Sequence, residues 1–498
     1  MIYTITSTLP PVHGGRTKAL LSRIKLIDSE LGIKSKIVTT NYNANYPSVY
    51  EKFINEEKVT EHTEFENIYD WLSGFKLLEI PKTKFKKQPK YQTMNRELKG
   101  LESKSFNGGN VMRYYKNGDY VLYRKYYNNS NIVQFEDFMS SISKKRLERW
   151  EYNKFGQLHR KIFYTHNPFS KLCELYFDTQ GDIYCKKFFN TEQESLDYIQ
   201  LYKNDRPYLS FSSEKALFKH YFDHRFSDGD VIFNDARLLD EPLLNQTHAT
   251  KNILVFHNSH LNGQQMKGSY KFALNHSEKV EKYLILTEKQ KEDIISQVTL
   301  DERQLSVIPH SIKTYKSHAN ENKLDRFIFI GRLGLQKQVD HLIKAYKQFL
   351  DYGYDTKLSI FGMDEDGQKK VLLDLIDQFG IQDKVDINDF TNNPLKEFQQ
   401  SKASLLTSKF EGFGLTVMES IEVGCPVIAY DVRYGPSEII NHGTNGYLVE
   451  PDNIKAFADC MAKIIDEPFN CVQTRSELSH DKAVENYKKL FQDIGHTK

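Results

Sequence analysis

Cysteine and tryptophan are scarce in this chain of 498 residues, which contains five cysteines and two tryptophans. The cysteines form no CxxC pair and no spacing with histidine that is typical of a zinc site. They are Cys173, Cys185, Cys425, Cys460 and Cys471. The pattern argues against a disulfide framework and favours free thiols in a reducing compartment.

Long apolar runs and an excess of one charge sign are also lacking. No run of about 18 apolar residues is present, so no stretch is typical of a membrane-spanning helix. The N-terminal sequence MIYTITSTLPP lacks the charged and apolar regions of a signal peptide. The 68 lysines and arginines balance 66 acidic residues, which argues against general nucleic-acid binding. We expect a cytoplasmic protein, and peripheral contact with the inner face of the cell membrane stays open.

The distribution of residue types divides the chain into three parts. Alternating strand and helix patterns over 1–50 and 226–312 predict one Rossmann-like domain. A second such pattern over 313–480, which opens with a polar linker at 314–325, predicts a nucleotide-binding domain. Residues 481–498 are expected to form a helix that crosses back to the first domain. Together these patterns predict an α/β fold of two facing Rossmann-like domains.

The segment 55–225 differs from both domains because it is rich in tyrosine, phenylalanine, lysine and asparagine. Three turns, with Gly118, Gly156 and Gly181 at their tips, are each followed by a β-prone run. Glycine supplies the positive φ that hairpin turns need, and alternating aromatics suit a half-buried strand. The segment therefore predicts an antiparallel β-meander inserted into the first domain.

Two cations flank the loop that follows the strand predicted at 327–330. Arg332 comes directly after Gly331, and Lys337 comes five residues later, before an amphipathic helix. A helix N-terminus offers free N–H groups and a positive dipole end, so two added cations would make a diphosphate site. The alternative is that both are solvated surface charges.

Two glutamates, Glu411 and Glu419, flank a glycine turn in the sequence KFEGFGLTVME. A helix is predicted to begin at Leu415, so Glu419 lies two helical turns beyond Glu411. The glycines allow close approach of the backbone to a ligand, as in phosphate-binding loops. The alternative is that neither glutamate binds a ligand. Glu411 would then be favoured by the dipole at the helix N-terminus, and Glu419 would be exposed on the helix surface.

A predicted strand at 253–256 ends in His257-Asn-Ser-His260. A histidine on an apolar strand is commonly a core residue, yet these two lie where the strand stops. The two histidines are three positions apart. This spacing is typical of metal ligands on a helix and does not favour a metal site at the end of a strand. A further sequence, Asp364-Glu365-Asp366, matches the DxD signature of metal-dependent sugar transferases, but we expect a solvated turn and predict no metal site.

These motifs, taken in order, resemble those of retaining nucleotide-sugar glycosyltransferases of the GT-B fold, family four. The resemblance also includes the sequences GCPVIA at 424–429 and NGYLV at 445–449. It covers about 310–465 strongly, and 1–50 and 228–310 weakly. It implies a UDP-sugar-dependent, retaining hexosyltransferase in which positive side chains, without a metal or another cofactor, hold the departing diphosphate.

The resemblance also implies roles for individual residues. Arg332 and Lys337 would hold the donor diphosphate, Glu411 would contact the donor sugar, and Glu419 would accept hydrogen bonds from the ribose. His257 is the first choice for a further contact with the sugar, and His260 is the second. The other residues implied at the donor site are Gly14, Gly15, Arg16, Gly331, Phe390, Thr391, Gly412, Phe413, Gly414 and Leu415. Met363 and Asp389 depart from the family pattern near the nucleobase.

The layout with an inserted β-rich segment resembles two groups of bacterial enzymes. One transfers glucose or N-acetylglucosamine to wall teichoic acid, a poly(polyol-phosphate), and we expect this activity. The alternatives are O-glycosylation of serine-rich or Ser-Asp repeat adhesins, and an inactive homologue that acts as a partner or chaperone. The insert could bind a polyanion or build a homo-oligomer. Its cations are Arg113, Lys116, Arg124, Lys125, Arg160, Lys161, Lys186 and Lys187.

Overall fold

A computed structural model of the chain describes residues 1–77, 91–312 and 323–496. The linker predicted at 314–325 lies outside the described residues up to position 322. The strands in chain order are β1 Ile2–Thr6, β2 Lys36–Thr39, β3 Glu64–Asn67, β4 Glu102–Phe106, β5 Val111–Lys116, β6 Asp119–Tyr126, β7 Val133–Met139, β8 Arg146–Tyr152, β9 Leu158–Tyr164, β10 Lys171–Phe177, β11 Ile183–Asn190, β12 Ser195–Lys203, β13 Arg206–Phe211, β14 Val231–Asn234, β15 Lys251–Val255, β16 Leu261–Asn262, β17 Gln265–Met266, β18 Lys282–Ile285, β19 Leu305–Val307, β20 Arg326–Ile330, β21 Lys357–Phe361, β22 Val385–Asn388, β23 Ala403–Leu406, β24 Val427–Tyr430 and β25 Gly446–Val449.

The helix predicted to begin at Leu415 begins there in the structure. In chain order the α-helices are α1 Gly15–Leu31, α2 Tyr46–Asn55, α3 Ile68–Leu72, α4 Glu214–Arg225, α5 Asp240–Leu244, α6 Gly268–Asn275, α7 Glu288–Ile295, α8 Val339–Asp351, α9 Gln368–Phe379, α10 Pro394–Gln399, α11 Leu415–Glu422, α12 Pro436–Ile439, α13 Ile454–Asp466 and α14 His480–Asp493. Within the described ranges, no helix is both long enough and apolar enough to cross a bilayer.

Contacts along the chain divide it into two compact units. The first consists of Met1–His13 with Lys34–Thr250, and the second of Gly14–Ile33 with Lys251–Lys498. These units are defined by where residues pack most closely together. The domain boundaries predicted from the sequence, at 50, 226 and 313, remain a prediction.

The first unit contains four parallel strands in the order β14, β1, β2, β3. Every residue of β1 and of β14 is buried. Near-continuous burial is typical of parallel strands that are covered on both faces, which explains their apolar sequences IYTIT and VIFN.

The first unit also contains a ten-stranded antiparallel sheet in which β4 to β13 follow one another in sequence order. The three turns predicted for this segment are present, and Gly118, Gly156 and Gly181 have φ values of 84°, 83° and 90°. The predicted β-meander is therefore confirmed, together with the fold class of parallel α/β sheets and an antiparallel β-rich segment.

For two of the cations considered for polyanion binding, Arg124 and Lys187, the prediction is wrong, because their side chains are buried within the first unit. Arg124 is 4% exposed and donates to Glu136 Oε1 at 2.9 and 2.6 Å. Lys187 is 6% exposed and pairs with Glu214. Both side chains carry charge that an internal carboxylate already neutralises, so neither is accessible to a polymer.

The second unit contains a six-stranded parallel sheet in the order β22, β21, β20, β23, β24, β25. The three strands β15, β18 and β19 are also parallel and adjacent in that order. In the six-stranded sheet the strand order reverses between β20 and β23. Open α/β sheets bind ligands at such a switch point, beyond the carboxyl ends of the strands.

The helix predicted near the C-terminus is present as α14, and it lies against α1. His480 Nε2 is 3.3 Å from Glu30 Oε1, at the end of α1. Lys282, at the start of β18, is 3.6 Å from Asp493 at the other end of α14. The helix thus connects α1 with the strands of the second unit.

Candidate functional site

The loops that follow β20 and β23 are joined at the switch point of the six-stranded sheet. Thr407 Oγ1 donates to the carbonyl oxygens of Lys337 and Gln338 at 3.1 and 2.8 Å. The backbone N–H of Lys409 donates to the carbonyl oxygen of Gln336 at 2.8 Å. These bonds hold the two loops, which carry Arg332 and Glu411, side by side at the carboxyl edge of the sheet.

Lys337 and Glu411 form an ion pair at this edge. Lys337 Nζ is 2.6 Å from Glu411 Oε1, and the two side chains are 14% and 11% exposed. A pair that is largely removed from water is sensitive to loss of either partner, since the other charge is left uncompensated. The structure therefore brings together two residues that the sequence places 74 positions apart.

Arg332 forms an ion pair with Glu365, which follows β21. Both side chains are partly exposed, at 61% and 40%. The interpretation of Asp364-Glu365-Asp366 as a solvated turn is therefore incomplete, because Glu365 contacts a predicted donor-site cation. Asp364 Oδ1 accepts a hydrogen bond from the backbone N–H of Lys369 at 2.9 Å. Among the residues that the structure describes, no group of three or more potential metal ligands lies together.

The N-termini of two helices, α1 and α11, meet in the second unit. A Cβ built on Gly15, the first residue of α1, would lie 3.2 Å from Leu415 Cδ1, at the start of α11. Neither helix has an acidic residue in its first turn. Helix N-termini attract anions through unpaired N–H groups and the positive dipole end, so two of them together favour a phosphate-bearing ligand. Arg16 is exposed beside them.

Glu419 is buried on α11 and pairs with Lys18 of α1. Lys18 is not among the residues predicted from the sequence, although it lies one helical turn beyond Gly14-Gly15, where a cation would face the same space. Glu419 is only 4% exposed, which excludes the alternative of a solvated helical glutamate. Its predicted contact with a ribose stays a prediction.

The loop after β23 also contacts the loop after β15. A Cβ built on Gly412 would lie 1.9 Å from the carbonyl oxygen of His257, so only glycine fits there. The His257 ring stacks on His310 at a centroid distance of 6.0 Å, and His310 meets Phe413 edge-on at 5.3 Å. His310 was overlooked, yet it follows β19 closely, as the other candidates follow their own strands.

The two histidines of the sequence HNSH have different surroundings. His257 is half-buried next to Gly412, whereas His260 is fully buried. His260 stacks on Tyr434 at 6.1 Å, and neither of its ring nitrogens has a hydrogen-bond partner among the described residues. Burial lowers the pKa of His260 to about 4, against a smaller opposing effect of Asp293. The geometry therefore favours His257 over His260 as the ligand-facing residue.

The low pKa of His260 predicts a pH-dependent stability. An unfolded histidine titrates near 6.5, so below that pH the unfolded state gains a proton that the native state accepts only near pH 4. We expect the free energy of unfolding to fall as the pH drops from about 6.5 to 4, by up to roughly 3 kcal/mol from this residue. Urea unfolding of wild type and His260→Gln across that range measures the difference in slope. Equal slopes would contradict the assignment, and His62→Gln, at an exposed position, is the control.

Phe390 and Thr391 follow β22, which is the edge strand of the six-stranded sheet. The side chain of Phe390 is 49% exposed, and Thr391 Oγ1 accepts a hydrogen bond from the N–H of Asn393 at 3.2 Å. Asp389 pairs with Lys369 at 3.2 Å. Since β22 is separated from β23 by β21 and β20, the nucleobase role of Phe390 and Thr391 stays a prediction.

Further residues connect the loops around the candidate site. Lys267 Nζ donates to the carbonyl oxygen of Ser259 at 2.8 Å and lies 4.9 Å from the centroid of the Phe410 ring. Tyr434 donates its hydroxyl to Asp293 Oδ2 at 2.7 Å, and burial together with this carboxylate raises the pKa of the phenol. The bond between Tyr434 and Asp293 holds the loop after β24 against α7.

The fold and the ordered motifs are similar to those of glycosyltransferases of the GT-B class. Residues 312–487 match the family model described as Glycosyl transferases group 1. The chain is 26% identical over 518 residues to the poly(glycerol-phosphate) alpha-glucosyltransferase of Bacillus subtilis (strain 168), in a match covering 98% of this chain and 72% of the relative. It is 24% identical over 532 residues to the UDP-N-acetylglucosamine--peptide N-acetylglucosaminyltransferase GtfA subunit of Streptococcus parasanguinis, covering 99% of both.

A solved structure has the same fold over nearly the whole chain. It is the crystal structure of a point mutant of S. aureus TarM in complex with Fondaparinux, alpha-GlcNAc-glycerol and UDP. The TM-score is 0.80 at 21% sequence identity, and the match covers 98% of this chain and 99% of that one. The likeness confirms the predicted GT-B architecture, including the β-rich insert.

Proposed function

We propose that this protein transfers glucose or N-acetylglucosamine from a UDP-sugar, with retention of configuration, to hydroxyls of a poly(polyol-phosphate) chain. The observation that supports the donor site best is the Lys337–Glu411 ion pair at the switch point of the six-stranded sheet. The converging N-termini of α1 and α11 add a second anion-attracting element. The relative in B. subtilis acts on poly(glycerol-phosphate) by name, which favours a phosphate polymer as acceptor.

The proposed reaction exchanges one bond at the anomeric carbon of the donor sugar. The bond from this carbon to the diphosphate oxygen breaks, and a bond to the acceptor oxygen forms on the same face. The acceptor proton passes to an oxygen of the leaving phosphate. Negative charge grows on the leaving group, where Arg332, Lys337 and the helix N–H groups stabilise it without rearranging. Glu411 would hold Lys337 in place while contacting the sugar hydroxyls.

We also propose that the reaction needs no metal ion, because fixed cations would supply the charge stabilisation. The expected result is unchanged turnover when the purified protein is dialysed against EDTA. Assays with and without added Mn²⁺ or Mg²⁺ measure this. Activity that disappears with EDTA and returns with Mn²⁺ would overturn the proposal.

A mass-spectrometric assay tests the whole proposal. Purified protein is offered UDP-glucose or UDP-N-acetylglucosamine together with poly(glycerol-phosphate), poly(ribitol-phosphate) or a Ser-Asp repeat peptide. Mass added to a polymer supports the proposal, and mass added only to the peptide would assign the adhesin activity that the GtfA relative suggests. No transfer and no donor hydrolysis, in wild type as in Arg332→Ala, would indicate an inactive homologue. NMR of the new linkage distinguishes retention from inversion.

The Arg332–Glu365 pair predicts a specific effect on donor binding. A donor diphosphate would have to replace Glu365 as the partner of Arg332, at a cost typical of an exposed ion pair. We expect Glu365→Gln to lower KM for the UDP-sugar by about two- to fivefold with little change in kcat. Asp366→Asn is the matched control, since it removes a carboxylate from the same loop. A raised KM in Glu365→Gln would instead mean that Glu365 orients Arg332 for the donor.

We propose that the protein is located in the cytoplasm, and the proposal allows contact with the inner face of the cell membrane. All five cysteines are free, and Cys185 and Cys425 are buried. Free buried thiols are typical of reducing compartments, which supports this location.

A further inference from the structure

One face of the ten-stranded sheet carries a group of cations on neighbouring strands. We call it the β4–β8 cationic face and define it as Lys104, Arg113, Lys125, Arg146 and Arg149. The register pairs Lys104 with Arg113, Arg113 with Tyr123, Tyr123 with Asp137, and Asp137 with Arg149. Residues directly opposite one another share a face of an antiparallel sheet. At about 4.8 Å per strand, this row extends for about 19 Å.

Positive charge exceeds negative charge on this face. Arg149 donates to Asp137 at 2.7 and 2.8 Å, and Arg146 lies 3.0 Å from the same carboxylate. Two arginines thus share one acid. Within the described part of the chain, no carboxylate forms an ion pair with Lys104, Arg113 or Lys125. On β4 to β8 this face therefore has five cations and three carboxylates, which are Glu102, Asp137 and Glu151. Glu151 pairs with Arg160 of β9, and Lys104 and Arg113 are exposed to solvent.

Aromatic rings hold these cations in position. The Arg113 guanidinium lies 4.8 Å from the centroid of Phe106 and 5.8 Å from that of Tyr120. Arg149 lies 4.1 Å from Phe135, and Lys104 lies 5.3 Å from Tyr115. Such contacts are worth about 0.5–1 kcal/mol each at exposed sites, so the cations are partly ordered before any ligand binds. The rings also offer apolar surface to the carbon chain of a ligand.

We propose that the β4–β8 cationic face binds the phosphodiester backbone of the acceptor polymer. The inference rests on the proposed function and assigns acceptor binding to one face of the insert. The cations on β4, β5, β6 and β8 are spread over about 19 Å, which matches an extended polyanion better than a single phosphate, because they can contact several phosphates at once. The polyol carbons between phosphates would lie against the aromatic rings.

The other face of the same sheet supplies a matched control. Lys161 and Lys186 belong to it, since Lys161 pairs in register with Trp150 and Lys186 with Gln200. Lys161 Nζ lies 3.7 Å from the Trp150 ring centroid, and Lys186 Nζ lies 4.2 Å from that of Tyr202. These two lysines also lie against rings, but they occupy the opposite face and are less exposed than Lys104 and Arg113.

The experiment compares Lys104→Gln/Arg113→Gln with Lys161→Gln/Lys186→Gln in the full chain. Binding of purified poly(glycerol-phosphate) is measured by calorimetry, with dextran as a neutral polymer and a poly-aspartate peptide as an acidic protein segment. We expect the first variant to bind the phosphate polymer about tenfold more weakly and the second to bind it like wild type. We also expect wild-type binding to weaken steeply as NaCl rises towards 0.5 M, because exposed charges are screened.

A second readout separates this inference from the proposed function. Hydrolysis of the UDP-sugar without acceptor, and transfer to glycerol phosphate as a short acceptor, need only the donor site. Both should be unchanged in Lys104→Gln/Arg113→Gln, while transfer to the long polymer falls. Equal polymer binding by the two double variants would refute the cationic face and leave the donor site intact. Tighter binding of poly-aspartate than of the polymer would also overturn it, in favour of an acidic protein.

Discussion

We expect Lys337→Ala to lower kcat/KM for sugar transfer by about 10²–10³-fold, because the proposed role of this lysine is to stabilise charge on the leaving group as a fixed donor. The lysine is held 2.6 Å from Glu411, so its ammonium group needs no reorganisation when the diphosphate departs. The substitution also leaves the Glu411 carboxylate without its cation in a site where it is only 11% exposed. We therefore expect a loss of stability of about 2 kcal/mol in addition to the loss of turnover.

A double variant separates these two effects. Lys337→Ala/Glu411→Gln removes the unpaired charge, so its stability should recover towards that of wild type while its turnover stays low. Steady-state kinetics with the UDP-sugar and chemical unfolding measure the two quantities. Lys344→Ala, on α8 and paired with Asp340 one turn earlier on the same helix, is the control for a lost surface lysine. Turnover of Lys337→Ala close to that of wild type would remove the lysine from the proposed mechanism.

Gly412→Ala is expected to have the second-largest effect, about 10²-fold on kcat. The new Cβ would lie 1.9 Å from the carbonyl oxygen of His257 and 2.9 Å from its carbonyl carbon. Both atoms belong to the backbone, so rotation of a side chain cannot relieve the overlap. The loop that carries Glu411 must move instead, and a displacement near 1 Å is enough to misplace reacting groups.

The control for this variant is Gly268→Ala, at the start of α6. A Cβ there would meet no atom within 4 Å, and the glycine has no positive φ. We expect Gly268→Ala to keep full activity and Gly412→Ala to remain folded, with a loss of stability of about 1–3 kcal/mol. Circular dichroism and thermal unfolding check the second point. A fully active Gly412→Ala protein would show that the two loops need not touch for transfer.

Local sequence predicted the elements of the fold well where their pattern is strong. The helix expected to begin at Leu415 is α11, and the strand expected at 327–330 is β20. The hairpin turns at Gly118, Gly156 and Gly181 were predicted because a positive φ selects glycine at the turn itself. In each case the physical signal is confined to a few neighbouring residues, which a single sequence displays directly.

Pairing between distant residues was not predictable in the same way. Lys18 and Glu419 are 401 positions apart, and nothing in the spacing of either residue identifies the other. The burial of Arg124 was also missed, because a cation alternating with aromatics on a strand suits either face of the sheet. Which face is covered depends on what packs against it, and Glu136, the acid that pairs with Arg124, lies on the neighbouring strand β7.

The sequence by itself determined the alternation of strands and helices, the glycine turns and the order of the motifs, because periodicity and turn chemistry are local properties. Only the tertiary structure decided that Lys337 pairs with Glu411, that Arg332 pairs with Glu365, and which sheet face presents its cations to solvent. These outcomes depend on strand order and register, which bring together side chains far apart in the chain and fix which charges are already neutralised.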